Sequence, residues 1–178
     1  MPDLNIIVLY YFILTGAPDG VDDVVIPIES FQARKRSGDP TYLSLVIPGT
    51  EYATEIAARL NGEMVINMVK LLDGAAYQDE EILRANLETV RIDEGSDNQS
   101  ITLTGHKQKT YTPKTVALEN VSYFSTNNGK ITCRCAVPDI YLNSGDTATY
   151  DGNSFTVGLI TYTVNVTDQS MEVSEVDA

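Results

Sequence analysis

The chain has 178 residues, of which 43% are apolar, with one histidine, two cysteines and no tryptophan. That length and apolar content exclude a disordered chain and supply a core for one domain, or two small ones, without disulfide staples. A formal charge of −13 at pH 7 and a pI near 4.3 exclude the usual nucleic-acid binder, which neutralises phosphates with lysine and arginine.

Residues 6–14 are an unbroken apolar run, too short to span a bilayer and preceded by Asp3 rather than by a basic segment. Its β-branched and aromatic content predicts a strand buried on both faces. No signal peptide and no membrane contact are expected, so the Asn-X-Ser/Thr triplets at Asn98, Asn120 and Asn165 read as chance matches. A turn at Ala17-Pro18-Asp19-Gly20 leads to a short strand over 24–28, which Pro27 confines to an edge or a bulge. Residues 31–36 are polar and basic and end at the turn Ser37-Gly38-Asp39-Pro40. Residues 42–47 then form a strand with Leu43, Leu45 and Ile47 on one face.

The period changes at Pro48-Gly49-Thr50. Ala53, Ile56, Ala57 and Leu60 recur at helical spacing, with Thr50 as N-cap and Asn61-Gly62 as the stop, so one short helix is predicted over about 50–61. A strand follows over 64–72, and 73–81 reads as an acidic loop. Residues 82–92 fit either period and are assigned to a strand, paired as a hairpin with 101–104 across the turn at 93–98. Residues 106–114, with Lys107, Lys109, Lys114 and Pro113, read as a connector.

Beyond it come two hairpins. One joins 116–124 to 130–137 through Asn127-Asn128-Gly129, and the other joins 147–150 to 154–166 through Asp151-Gly152. Val157 and Leu159 are out of phase with Ile160, Tyr162, Val164 and Val166, which predicts a β-bulge at Gly158. Residues 168–178 form an acidic tail, read as frayed or as a strand that docks on a neighbour. The fold class is therefore mainly β: an antiparallel β-barrel or sandwich with one short α-helix. The division is 1–106 (N-terminal, β-rich, with the helix), 115–167 (C-terminal antiparallel part, sharing one core with the first) and 168–178.

Little in the chain resembles catalytic chemistry, and the expectation is a non-enzyme with no cofactor and no metal. His106 alone could serve a Ser-His-Asp or Cys-His site, and no Gly-X-Ser-X-Gly elbow accompanies it. Cys133 and Cys135 share one strand face, a poor geometry for a mutual disulfide, and read as small apolar core residues. Asp19, Asp22 and Asp23, and Asp93, Glu94 and Asp97, are acidic loops that could hold calcium but lack the EF-hand spacing. Arg34-Lys35-Arg36 is the one basic cluster in an acidic chain. It reads as a solvated loop or as a docking patch for an acidic surface, including that of a neighbouring copy. The candidate interface residues are Arg34, Lys35, Arg36, Lys107, Lys109, Tyr111 and Lys114.

Three segments carry a resemblance. They are Gly129-Lys130-Ile131-Thr132-Cys133-Arg134-Cys135-Ala136, Leu142-Asn143-Ser144-Gly145-Asp146-Thr147, and Phe155-Thr156-Val157-Gly158-Leu159-Ile160-Thr161-Tyr162. With the strands of 87–105 and the helix after Gly49, they resemble the β-rich structural proteins of the tail tip or baseplate of long-tailed bacteriophages, of hub or distal-tail type. The resemblance implies a non-enzymatic virion protein, made in the host cytoplasm and placed in the tail. It implies a homo-oligomeric ring that joins the tail tube to distal tail components. It also implies other tail or baseplate proteins as partners, with DNA passing through an acidic lumen without sequence-specific binding. The alternative from the residues is a monomeric carbohydrate- or calcium-binding β module that uses Tyr111, Tyr123 and Tyr141 with an acidic loop.

Overall fold

In the computed structural model, which describes residues 6–95, 99–108 and 111–176, the chain forms thirteen strands and one short α-helix. In chain order these are β1 (Ile6–Leu14), β2 (Val24–Ile26), β3 (Ser30–Arg36), β4 (Thr41–Pro48), α1 (Ala53–Ala57), β5 (Glu63–Leu72), β6 (Ala75–Glu94) and β7 (Gln99–Lys107). Then follow β8 (Thr115–Ala117), β9 (Val121–Asn127), β10 (Lys130–Cys135), β11 (Thr147–Tyr150), β12 (Asn153–Asn165) and β13 (Gln169–Glu175). Two compact units emerge. The first holds the described residues up to Glu29 together with Leu45–Gly105, and the second holds Ser30–Ser44 together with the described residues from His106 onward. This differs from a simple division near residue 106, because β3 pairs along its length with β12 and so belongs with the C-terminal strands.

The first unit has strand order β2-β1-β5-β6-β7-β4. Its core is Phe12 and Leu14 of β1, Ile26 of β2, Leu45 and Ile47 of β4, Met64 and Ile66 of β5 and Ile101 and Leu103 of β7, all fully buried. Each such side chain contributes on the order of 1.5–3 kcal/mol by leaving water. Pro27 sits just past β2, which lies at the end of the order, as its missing donor requires. The helix is shorter than the spacing predicts. Its N-cap is Tyr52, with no side-chain cap, and Thr50 contributes only its carbonyl, to the Ala53 amide at 3.1 Å. Of the supposed apolar face only Ile56 is core. Leu60 is 53% exposed, while Arg59 is buried, donating to the Asp22 carbonyl and to Glu55. The stretch 73–81 is a strand rather than a loop: Asp73 and Gly74, both at positive φ, turn β5 directly into β6. Three carboxylates hid that strand from composition, and each has a partner. Asp79 accepts from Tyr11, Glu80 from Gln78 and Glu81 from Arg84.

The second unit has strand order β4-β3-β12-β13-β10-β9, with β11 on β12 and β8 on β11. β3 with β12, β12 with β13, β13 with β10, β10 with β9 and β11 with β12 pair antiparallel, whereas β8 with β11 is parallel. Asn128 and Gly129, at φ 51 and 77, form the tight turn between β9 and β10 that their residue types predict. Gln169–Glu175 is not a frayed tail but a central strand between β12 and β10. The register of β12 shifts between Val157 and Leu159, at the predicted bulge. There the strand leaves β11 and joins β3 and β13. Phe31, Ala33, Phe155, Val157, Ile160, Tyr162, Met171 and Val173 fill this second core. Cys133 and Cys135 are both buried and free, on one face of β10, where burial raises each thiol pKa to about 11. In neither unit does the strand order close on itself, so the architecture is sandwich-like rather than a barrel.

Candidate functional site

The exposed face of the second unit carries an open cleft of about 1020 Å³. β3 supplies Gln32, Arg34 and Arg36 on one side, and β12 supplies Gly158, Leu159 and Thr161. The turn after β3 adds Asp39 and Pro40, and Tyr42, His106, Lys130 and Glu175 complete the wall. The register places Arg34 opposite Thr161 and Arg36 opposite Leu159. The Arg34 and Arg36 Cα positions, two residues apart on one strand face, are spaced about 7 Å. Among the described residues Arg34 donates only to Gln32, at 3.2 Å, and Arg36 meets only Asp39, at 3.9 Å, with 65% of its side chain exposed. Lys130 adds a third positive charge beside Glu175, whose carboxylate accepts the Ile131 amide at 3.0 Å. The Tyr42 and His106 rings lie 5.1 Å apart.

The floor depends on Gly158. A Cβ there would run into the Cα and amide nitrogen of Val176 and the Glu175 carbonyl, so only glycine lets the end of β13 close against the bulge. The Val176 amide donates to Thr156 at 2.9 Å and the Ser37 amide to Gly158 at 3.0 Å, which fixes both rims.

Strand alternation divides the basic cluster. Lys35 points the other way from Arg34 and Arg36 and is buried. Its Nζ donates to the Ile140 and Leu142 carbonyls and to Asn143 Oδ1, at 3.2, 3.1 and 3.2 Å, and lies 5.2 Å from the Tyr162 ring centre. Three donors meet three acceptors, as a buried ammonium needs. The Tyr162 hydroxyl lies 3.1 Å from both the Asp139 and Leu142 carbonyls, which share its single proton, and burial, with Asp139 and Asp146 nearby, holds its pKa well above the ordinary value. Asp146, fully buried, accepts the Lys114 amide at 2.9 Å and the Asn143 amide at 2.8 Å. The Tyr111 hydroxyl and Ser144 hydroxyl are 2.9 Å apart, and Lys114 Nζ lies 5.9 Å from the Tyr141 ring centre.

The seven sequence candidates thus do not form one patch. Arg34 and Arg36 line the cleft, Lys35 is internal, and Tyr111 and Lys114 hold the 139–147 loop. Lys107 ends β7, and Lys109 lies outside the described residues, as do Asp97 and Asn98. Cleft residues missed by sequence reading include Tyr42, which β4 carries beside β3, and Lys130 and Glu175, which the pairing of β13 with β10 and β12 brings near β3. Gly158 carried a signal, the broken alternation. Among the described residues no three His, Cys, Asp or Glu side chains converge on a metal position. In the first acidic loop Asp19 accepts from Asn61 at 2.6 Å and Asp23 from the Gly16 amide at 2.9 Å, so these carboxylates brace turns.

No protein-family model matches the chain, and no curated protein matches it in sequence. Solved structures do match in fold. A tail protein from Neisseria meningitidis MC58 superposes with a TM-score of 0.54 at 6% identity, spanning 94% of this chain and 96% of that one. The 43 kDa tail protein of prophage MuSo2 from Shewanella oneidensis gives 0.54 at 6% identity, spanning 94% and 97%. An E. coli component of the type VI secretion system, described as structurally similar to the T4 bacteriophage tail proteins gp27 and gp5, gives 0.53 at 5% identity, spanning 98% and 77%. The chain shares the fold of these two tail proteins and of the type VI secretion component.

Proposed function

We propose that this chain is a structural, non-enzymatic protein of a phage tail tip or baseplate, working as a homo-oligomeric ring that joins the tail tube to distal components. The observation that carries this reading is the fold likeness, which spans at least 94% of the chain in three tail or tail-like proteins. Two features of the chain favour assembly. The outer edge of β1 is covered by β2 only at Phe12–Leu14, and beyond that cover Ile7 and Leu9 are 40% and 49% exposed. Exposed apolar residues beside a strand edge invite a partner chain. The second feature is a cleft with two lightly engaged arginines in a chain of net charge −13, a local contrast suited to an acidic partner surface.

The ring would be heterologous, one face of a copy meeting a different face of the next, since the cleft is not self-complementary. The test is location: gold-labelled antibody against the chain, applied to intact particles of the phage or prophage that encodes it. Label at the distal end of the tail is the expected result. A chain absent from purified particles would contradict the proposal.

A further inference from the structure

We infer that β1 of one copy pairs edge to edge with β9 of the next, so that copies add head to tail through their terminal strands. This rests on the assembly reading above and names the two surfaces that meet. Among the described strands, β2 ends the order of the first unit and β9 ends that of the second. β2 is three residues long and is followed by Pro27, so that edge is short and blunted. It reaches β1 only at Phe12–Leu14, which leaves β1 as the edge over 6–11.

Neither of the long edges is blunted in that way. β1 reads Ile-Ile-Val-Leu-Tyr-Tyr-Phe-Ile-Leu and β9 reads Val-Ser-Tyr-Phe-Ser-Thr-Asn, with no charged residue and no proline in either. Each presents exposed apolar side chains: Ile7 and Leu9, at 40% and 49%, on β1, and Tyr123, at 56%, on β9. Long uncharged edges flanked by such side chains are templates for another strand.

The backbone is aimed accordingly. The Thr15 amide donates to Glu63 at 3.0 Å, and β1 runs beside β5 without a register shift. Alternation back along the strand therefore turns the Val8 amide and carbonyl away from β5, toward the edge. On β9, Asn127 and Lys130 close the two-residue turn, so the Thr126 amide points away from β10.

Charge favours a second copy as the occupant. Two chains of net charge −13 repel wherever their acidic surfaces face each other, and a contact between two uncharged strands avoids that repulsion. Two unlike edges also propagate in one direction, as a heterologous ring requires.

The test is sedimentation velocity of the full chain from about 1 μM to about 1 mM, a range that covers weak ring contacts. The parent is expected to self-associate, and more strongly at high salt, where only the repulsion is screened. Val8→Pro and Thr126→Pro each remove an outward amide and no bond to β5 or β10, and each should weaken association about tenfold or more. Mixed in equal amounts, the two variants should form a dimer that grows no further, because each retains the edge the other has lost. Far-UV circular dichroism checks that each folds; should either fail, Leu9→Lys and Tyr123→Lys, at exposed side chains, probe the same two edges. If the parent assembles and both proline variants assemble equally well, or if the mixture stays monomeric, this pairing is overturned while the assembly reading stands. Dimers of Thr126→Pro alone would mean that β1 meets β1, and would overturn it in the same way. A parent that assembles only beside other tail proteins likewise overturns the self-pairing alone. A parent that stays monomeric alone and beside them overturns both.

Discussion

Arg34, Lys35 and Arg36 are neighbours in sequence, but the two faces of β3 give them different environments. Inward, Lys35 meets three oxygens and an aromatic face, in a region where Asp146 and Tyr162 are also fully engaged. Outward, Arg34 and Arg36 have one weak partner each among the described residues and line an open cleft. The inner face holds the 139–147 loop to the sheet, and a charge removed there leaves buried groups unpaired. The outer face keeps its charges solvated, so their loss costs the monomer little. A basic cluster in a strand sequence is therefore two features, and only the alternating half is available to a partner.

The sharpest way to break this contrast is on the inner side. Asp146→Ala leaves two part-buried amides without their carboxylate acceptor and is expected to lower stability by about 3 kcal/mol in urea unfolding. A loss below about 1 kcal/mol would mean that the loop is not held as described. Next comes a matched pair across the strand. Lys35→Met should cost about 2 kcal/mol, whereas Arg34→Met should stay within about 0.5 kcal/mol. Equal effects would erase the distinction between the faces.

A third test uses pH on the buried side of β10. The Cys133 and Cys135 thiols sit at about 11, against an ordinary 9.0. The folded state therefore holds these protons more tightly than the unfolded one. Their contribution is fully present below pH 9 and is lost as pH rises from about 9 towards 11. Urea midpoints compared at pH 8 and 10 should fall, and C133A/C135A should flatten that fall; an unchanged slope would contradict buried thiols. The smallest expected effect is on the outer face, where R34E/R36E should leave monomer stability within about 0.5 kcal/mol in the same urea unfolding.

Much of the strand framework was legible because local chemistry and tertiary structure agree. The apolar run at 6–14 is β1 in full, Leu43, Leu45 and Ile47 are all buried, and the broken alternation at Gly158 is a real bulge. Misreadings occurred where pairing partners that composition does not reveal decided the outcome. The run at 73–81 looked like a loop because it is rich in carboxylates, yet Tyr11, Gln78 and Arg84 engage them and β5 pairs with the strand. The predicted helix shrank because Leu60 found no core and Arg59 took the buried place instead. The tail 168–178 looked too acidic to pack, but Met171 and Val173 alternate inward while Glu172 faces out and Glu175 accepts the Ile131 amide. Of the site, sequence located Arg34 and Arg36. The role of Lys35 was hidden because its acceptors lie more than a hundred residues away.

The most direct test of the assembly account is the mass of the purified chain in solution across a concentration series, by native mass spectrometry, alone and mixed with other tail components. The account predicts a discrete closed oligomer that persists as salt rises, since the contact proposed is between uncharged strand edges. A chain that remains monomeric at every concentration, and beside tail components, would contradict it.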